Sequence, residues 1–366
     1  MSKEITLTSN LQLSSQIVVG SGLLSTNLLP SFIESDRIVY IVDSSVFELH
    51  KDYLTRLIDT TGRDHEILSV EGGERSKSLE FGVTLLDKIV KRKPGKLDYV
   101  IGIGGGTIMD LTGFLCHLVL RGLRFIVVPT TLLSQVDAAI GGKNGLNVGT
   151  EKNKIGAFCY PELVICDISL LSTLSDGEFC NGVAEIIKTL AICDEDTFRN
   201  LRDSCRSIGD LRSASFLEAV IWKTIQLKIS LLREDPFETS SKRLLNFGHT
   251  LGHSIETISG FSIPHGQAVL LGMLFETRIG ELTGYCSAVV FEEMYRLVSR
   301  FLTTTYDLLR ISDDQIRRSI DNVKRSRGGN VNFVVLKRIG KGCIVESVPE
   351  SMVLKAWRDV VAKTQV

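Results

Sequence analysis

Short, almost continuous apolar runs alternate with helical spacing in the first half of the chain. Ile38–Val42 (IVYIV), Tyr99–Ile103 (YVIGI), Phe125–Val128 (FIVV) and Leu163–Cys166 predict strands. Runs without polar alternation belong to strands covered on both faces, as in a parallel sheet. Between them lie amphipathic stretches such as Leu79–Lys91, which predict helices. Strand–helix alternation of this kind predicts a doubly wound α/β domain. After about Ser175 the period changes. Phe216–Leu232 and Ala268–Leu282 carry apolar residues at helical spacing, and Val331–Leu336 (VNFVVL) is one late strand-like interruption. The boundary is placed near Leu174, giving an α/β domain over 1–174 and a mainly α-helical domain over 175–366.

Length and composition agree with that division. A chain of 366 residues is too long for one ordinary core and suits two domains. Its 43% hydrophobic and 23% charged residues are those of a soluble globular protein. A net charge of −1 gives no electrostatic reason to expect nucleic acid or an acidic membrane as partner. Any anion site must be a local cluster of cations. The eight cysteines are spread singly, with no C-x-x-C pair, and read as free thiols in a reducing compartment. Met1-Ser2-Lys3-Glu4 lacks the basic end and apolar run of a secretory leader, and no long apolar span follows. The expected location is the cytoplasm.

Three clusters carry candidate chemistry. Gly104-Gly105-Gly106 ends a predicted strand and opens a predicted helix, where glycine lets backbone N–H groups approach a pyrophosphate. Asp43, after an earlier strand, is placed either to bind a ribose or to cap a helix. In the second half, His249 and His253 are four apart and share a helix face, within Asn246–His253 in a helical region, and His265 follows Pro264. Half of the six histidines thus fall within seventeen residues. Glu185 and Lys188 pair on another helix face. A Glu with two His is a catalytic zinc set that leaves positions open for substrate. The plain alternative, core histidines bonded to carbonyls, accounts for one such residue more readily than for three. Third, Asp137–Asn147 and Lys152-Asn153-Lys154 place lysines beside glycine-rich backbone, with Arg121, Lys228 and Lys242 as further cations for a phosphate or polyol. For any single lysine, a solvated surface role is the simpler account.

The segments GGGTIMDLTGF, RGLRFIVVPTTLLSQVDAAIGGKNGLN, EKNKIGAF, GVAEIIK, LLNFGHTLGHSIE and HGQAV, in this order, resemble the 3-dehydroquinate synthase family within the wider sugar-phosphate cyclases. The match runs from about Val39 to Leu336. The resemblance implies a Rossmann-like NAD-binding domain, a helical metal-binding domain and a site in the cleft. It implies metal ligands Glu185, His249 and His265, holding zinc or cobalt. NAD contacts would fall on Asp43, Glu74, Lys77, Gly105, Gly106, Asp110, Thr130, Thr131, Asp137, Lys152, Thr173 and Asn181. Substrate contacts would fall on Lys143, Asn153, Lys188, Lys228, Lys242, Asn246, His253 and Lys324, with Glu238 as proton acceptor. Arg121 would reach a neighbouring subunit's phosphate site, implying a homodimer. The implied reaction oxidises a ring hydroxyl with NAD, eliminates phosphate, returns the hydride and closes a carbocycle by an intramolecular aldol step.

Two positions bear on the substrate. The family grips a substrate carboxylate with a Lys and an Arg. Lys228 fits the first, but the Arg position holds Lys242, with Arg243 one residue on. Arg offers a planar two-point grip and Lys a point charge. Turning a helix by about 100° to use Arg243 would misplace Asn246. Asn246 is the family's residue for a keto-acid substrate, where the glucose 6-phosphate-using inosose synthases have Glu. Asn144 stands where Thr is usual and Ala139 where Ser is common. Val323-Lys324-Arg325 stands where Asp-Lys-Lys is usual. The alternatives are an aminodehydroquinate, 2-epi-5-epi-valiolone or 2-deoxy-scyllo-inosose synthase, a metal-dependent polyol dehydrogenase that releases NADH, and a catalytically dead binding protein.

Overall fold

The computed structural model describes residues 14–149, 151–213, 215–235, 243–303, 308–326 and 331–364. They form two compact units. The first holds the described residues up to Val18, then Leu23–Val128 and Gly142–Cys166; the second holds Val19–Gly22, Pro129–Gly141 and the described residues from Asp167 onward. The second unit thus starts seven residues before Leu174 and also takes in a segment from the middle of the first.

The strands of the first half are β1 (Gln16–Gly20), β2 (Arg37–Asp43), β3 (Asp64–Val70), β4 (Tyr99–Gly104), β5 (Arg124–Pro129), β6 (Lys143–Val148), β7 (Glu151–Phe158) and β8 (Leu163–Asp167). Six of them make one sheet in the order β1-β8-β5-β4-β2-β3. β2 runs parallel to β3 and β4, with Tyr40 opposite Ile67 and Ile101, and β5 runs parallel to β8. The apolar runs account for the centre: every residue of β4 is buried, as are Ile38–Val42 of β2. β3 was not predicted. Its sequence DHEILSV is polar because it is an edge strand, with only Leu68 and Val70 buried. Helix Gly106–Leu118 follows β4, and helix Leu79–Lys91 begins at the Ser78 cap. The glycine-rich middle is an antiparallel hairpin, β6 with β7. Asn144 closes its base, donating from Nδ2 to the carbonyls of Gly142 and Cys159, both at 2.8 Å.

The second unit is built around two helices buried on all sides. Asp176–Cys193 is buried continuously from Phe179 to Ile192, and His265–Leu282 from Gly266 to Thr277. A helix apolar all round belongs inside a bundle. His265–Leu282 packs on Asp176–Cys193, His249–Ile258, Ala288–Val298, Glu350–Thr364 and the strand β9 (Asn332–Arg338). β9 pairs antiparallel with β10 (Lys341–Glu346). Among the described residues no helix is long and apolar enough to cross a membrane.

One sequence expectation needs correction. Asn246 is not on the histidine helix: Leu244–Asn246 is a 3-10 turn, Phe247 and Gly248 follow, and the helix begins at His249. Gly248 has φ +79°, a left-handed conformation that breaks the helical run. Rotation about one helix axis therefore does not link Arg243 to Asn246.

Helices His249–Ile258 and His265–Leu282 cross closely. A Cβ on Gly272 would lie 1.9 Å from the Gly248 carbonyl oxygen, so neither backbone can yield without moving the other. Gly272→Ala should cost about 1–3 kcal/mol of stability by overpacking, read as a lower urea midpoint. Gly177→Ala is the control, because a Cβ there meets nothing within 4 Å. Equal midpoints for Gly272→Ala and the unsubstituted protein would refute the close crossing.

Candidate functional site

The two buried helices carry charge where apolar side chains would otherwise fill the space. Glu185 and Lys188 lie one turn apart on Asp176–Cys193, 1% and 2% exposed. A buried carboxylate needs partners, and Glu185 has three. Its Oε2 meets the Lys188 ammonium, while Oε1 faces His249 Nε2 at 3.4 Å and His265 Nε2 at 3.7 Å. Burial opposes ionisation of Glu185. Lys188 and then His249 outweigh it and hold the carboxyl well below the usual carboxylate range.

The gap between these groups has the size of a cation. One ligand atom from each of Glu185, His249 and His265 lies within 4.8 Å of the others. A tetrahedral ion with ligand bonds of about 2.0–2.1 Å needs ligand atoms about 3.3 Å apart, and the two edges at Glu185 measure 3.4 and 3.7 Å. Among the described residues neither Glu185 oxygen has a well-aligned hydrogen-bond donor. The residues present fit a divalent metal.

The surrounding bonds fix the rings. His249 Nδ1 lies 3.1 Å from the Phe247 carbonyl, and His265 Nδ1 lies 3.3 Å from Glu256 Oε2. Both Nε2 atoms thereby face Glu185. Glu276, fully buried, accepts from the backbone N–H of Gly248 at 2.9 Å and Thr250 at 3.2 Å. It thus satisfies backbone N–H groups at the N-terminus of the histidine helix. Asn181 Oδ1 accepts from Gly266 N at 2.9 Å and so anchors the start of the His265 helix. Sequence reasoning missed Glu256 and Glu276. Glu256 had a signal: it lies three residues past His253 and seven past His249, hence on the same helix face.

His253 stands beside the set, its ring centroid 5.2 Å from that of His249 and 6.1 Å from that of His265. Desolvation among its neighbours, reinforced by His249, lowers its pKa to about 4, so near neutral pH it is an uncharged hydrogen-bonding group. Asp137, on a π-helical turn Ser134–Ala138, receives Lys228 Nζ at both its Oδ1 and its carbonyl, each at 2.6 Å. Burial works against the Asp137 charge, but Lys228 keeps its carboxyl below the ordinary range. Among the described residues the buried Thr130 hydroxyl has no hydrogen-bond partner, whereas Thr131 bonds Ser134 and Thr173 lies 3.5 Å from the Leu170 carbonyl. Asn246 occupies its 3-10 turn two residues before Gly248.

The first unit gathers other predicted residues. Asp43 Oδ1 caps the helix after β2, accepting from Ser45 N and Val46 N, and the side chain packs against Gly72. Glu74 accepts from Asn147 Nδ2 at 2.6 Å, and Asn147 Oδ1 in turn holds the Asn153 backbone. Lys77 pairs with Asp110, whose carboxyl is pushed up by burial against the opposing pull of Lys77. Gly105 and Gly106 open the helix after β4. Lys143, Lys152 and Asn153 lie on the hairpin β6–β7, with both lysines exposed. Arg121 is exposed on a turn where Leu120, Arg121 and Gly122 all have positive φ. Lys324 pairs with Asp321 and lines a cavity of about 270 Å³ with Arg317, Ile320 and Phe333. Glu238 and Lys242 lie outside the described residues.

Residues 67–181 match the family model of the 3-dehydroquinate synthase N-terminal region, and residues 182–326 match that of the C-terminal region. The chain belongs to the 3-dehydroquinate synthase family. It is 34% identical over 347 residues to a 3-dehydroquinate synthase of Dehalococcoides mccartyi (strain CBDB1), covering 94% of this chain and 96% of that protein. With the enzyme of Enterococcus faecalis (strain ATCC 700802 / V583) it shares 34% over 324 residues, 88% of this chain and 89% of that one. Solved structures share the fold. A 2-epi-5-epi-valiolone synthase from Streptomyces hygroscopicus subsp. jinggangensis 5008, with NAD+ and Zn2+ bound, has TM-score 0.89 at 22% identity, covering 98% of this chain and 100% of that one. A 2-deoxy-scyllo-inosose synthase complexed with carbaglucose-6-phosphate, NAD+ and Co2+ has TM-score 0.81 at 24% identity, covering 94% and 96%. Membership in the family makes the chain an enzyme of the cyclase type.

His265 carries a testable consequence. Burial lowers its pKa, but Glu185 and Glu256 override burial and raise it to about 10. A histidine raised this far stabilises the metal-free fold fully below its ordinary pKa of about 6.5, and the contribution is lost as pH rises through about 10. Imidazole NMR of the metal-free protein should show His265 still protonated at pH 8. Titration near 6.5 would contradict the two-carboxylate setting.

Proposed function

We propose that the chain is a 3-dehydroquinate synthase, cyclising a phosphorylated keto-acid with loss of phosphate. The convergence of Glu185, His249 and His265, beside the buried Lys188, carries this reading. Family membership supports it, as do the cofactors named for the two solved cyclases. Glu185, His249 and His265 would hold a zinc or cobalt ion. Once bound, the ion would polarise a substrate oxygen, and NAD would supply reversible hydride transfer. The cofactor is assigned to Asp43, Glu74, Lys77, Gly105, Gly106, Asp110 and Lys152, and to Thr130, Thr131, Asp137, Thr173 and Asn181. The orphaned Thr130 hydroxyl suits such a ligand.

The chain's own groups divide the remaining work. Lys188, held against Glu185, is the ammonium assigned to a substrate oxygen. Lys228 has two contacts to Asp137, and its remaining proton is available to an anion. His253, neutral and beside the metal set, can orient a phosphate by hydrogen bonding without a fixed charge. Lys143, Asn153, Lys242, Asn246 and Lys324 complete the substrate assignment, with Glu238 as proton acceptor. The helical unit from 175 onward is the metal- and substrate-binding domain in this reading, and 1–174 the NAD-binding domain. The enzyme works as a cytoplasmic homodimer in the shikimate pathway. Arg121 suits the dimer because it is exposed on a positive-φ turn, directly after exposed Leu118 and Leu120 in the chain.

Substrate charge separates this reading from a cyclase acting on a neutral sugar phosphate. Phosphate release with metal and NAD should be fastest on the seven-carbon keto-acid phosphate, compared with its amino analogue, sedoheptulose 7-phosphate and glucose 6-phosphate. NADH should not accumulate. Turnover of neutral sugar phosphates alone would overturn the keto-acid assignment, and steady NADH formation with a polyol would favour a dehydrogenase. Lys242→Ala should raise the Michaelis constant for the keto-acid roughly tenfold to a hundredfold, the worth of a charged hydrogen bond, with NAD affinity unchanged. An unaltered Michaelis constant would remove Lys242 from the substrate site.

A further inference from the structure

The two histidines of the metal set are oriented by different means. His249 Nδ1 has a backbone carbonyl, that of Phe247, two residues before it. His265 opens its helix directly behind Pro264, and the group facing its Nδ1 is a side chain, Glu256. Glu256 sits on helix His249–Ile258, two turns after His249, and its side chain is 13% exposed. One helix therefore supplies both a candidate ligand and the carboxylate that faces the other candidate ligand.

The geometry points to Glu256 as the positioning residue of the metal centre, acting through His265. The inference rests on the metal reading above and adds to it a residue outside the ligand set. An Nδ1–H donated to Glu256 leaves the lone pair on Nε2, the nitrogen that faces Glu185 at 3.7 Å. The Glu256 charge also makes the imidazole a more basic donor. With His265 neutral, as a metal ligand must be, Glu185 and Glu256 counted against Lys188 leave one net negative charge to meet a divalent ion. His253 lies close enough to Glu256 and His265 to complete a second group within 4.8 Å. Because His265 Nε2 is directed at Glu185, the carboxylate on its other nitrogen reads as an outer partner.

The test compares unsubstituted protein with Glu256→Gln and Glu256→Ala, all stripped of metal. Zinc affinity is measured by competition with a chromogenic chelator, and the visible absorption bands are recorded after Co2+ loading. Glu256→Ala should bind zinc about 10–100-fold more weakly, with displaced Co2+ bands. Glu256→Gln keeps an acceptor oxygen without the charge and should restore part of both. Purely structural damage would not shift the Co2+ bands and then return them with the isosteric variant. If Glu256→Ala fails to fold, the Glu256→Gln spectrum and affinity decide alone. Equal zinc affinity and identical Co2+ spectra across the folded proteins would overturn the role of Glu256. Failure of the unsubstituted protein to take up zinc or Co2+ would instead overturn the metal reading.

Discussion

The ionised Glu185 carboxylate, buried in the middle of an apolar helix, is the constraint on which the second unit depends. Removing such a group from water costs several kcal/mol unless its surroundings return the interaction. Here one oxygen meets Lys188 and the other faces two imidazoles. An arrangement that fills one side of a carboxylate with an ammonium and turns two imidazole Nε2 atoms toward the other is a place for a cation. The same helix, had it carried leucine at this position, would be an ordinary bundle core.

Holding that arrangement requires rigid backbone, which comes from packing. Gly248 and Gly272 let two helices approach until backbone meets backbone. Glu276 then binds the N–H groups at the start of the histidine helix, and Asn181 binds the start of the neighbouring one. These polar contacts are buried and directional, so they set rotation and register more sharply than apolar contact alone. The two candidate histidine ligands each open a helix, the position such contacts fix best.

Charge in the second unit is arranged in alternating pairs. Glu185 with Lys188 and Asp137 with Lys228 each lie near neutral balance. In the proposed reading a phosphorylated anion would meet ammonium groups already held in place, with carboxylates behind them balancing their charge. The first unit has the same habit in Lys77 with Asp110.

Much of this was legible in the chain. Apolar runs located the central strands to within a residue or two, and His249 and His253 declared a shared helix face by spacing alone. The edge strand β3 was hidden because half of its residues face solvent and read as polar. Asp43 read as either a cap or a ribose contact; its Oδ1 makes the cap, which the local turn of β2 into its helix brings about. Periodicity also carried helical expectation through Asn246–Gly248, where a left-handed glycine ends it.

By itself the sequence determined which segments are buried, which chemistry-bearing residues exist and, through its ordered motifs, the family. Only the tertiary structure decided that Glu185, His249 and His265 meet, and that Glu256 and Glu276 stand behind them. Periodicity reports a residue's own environment along one element. The meeting of side chains eighty positions apart depends on how closely two helices cross, and that is set by packing and by backbone hydrogen bonds that no local pattern records.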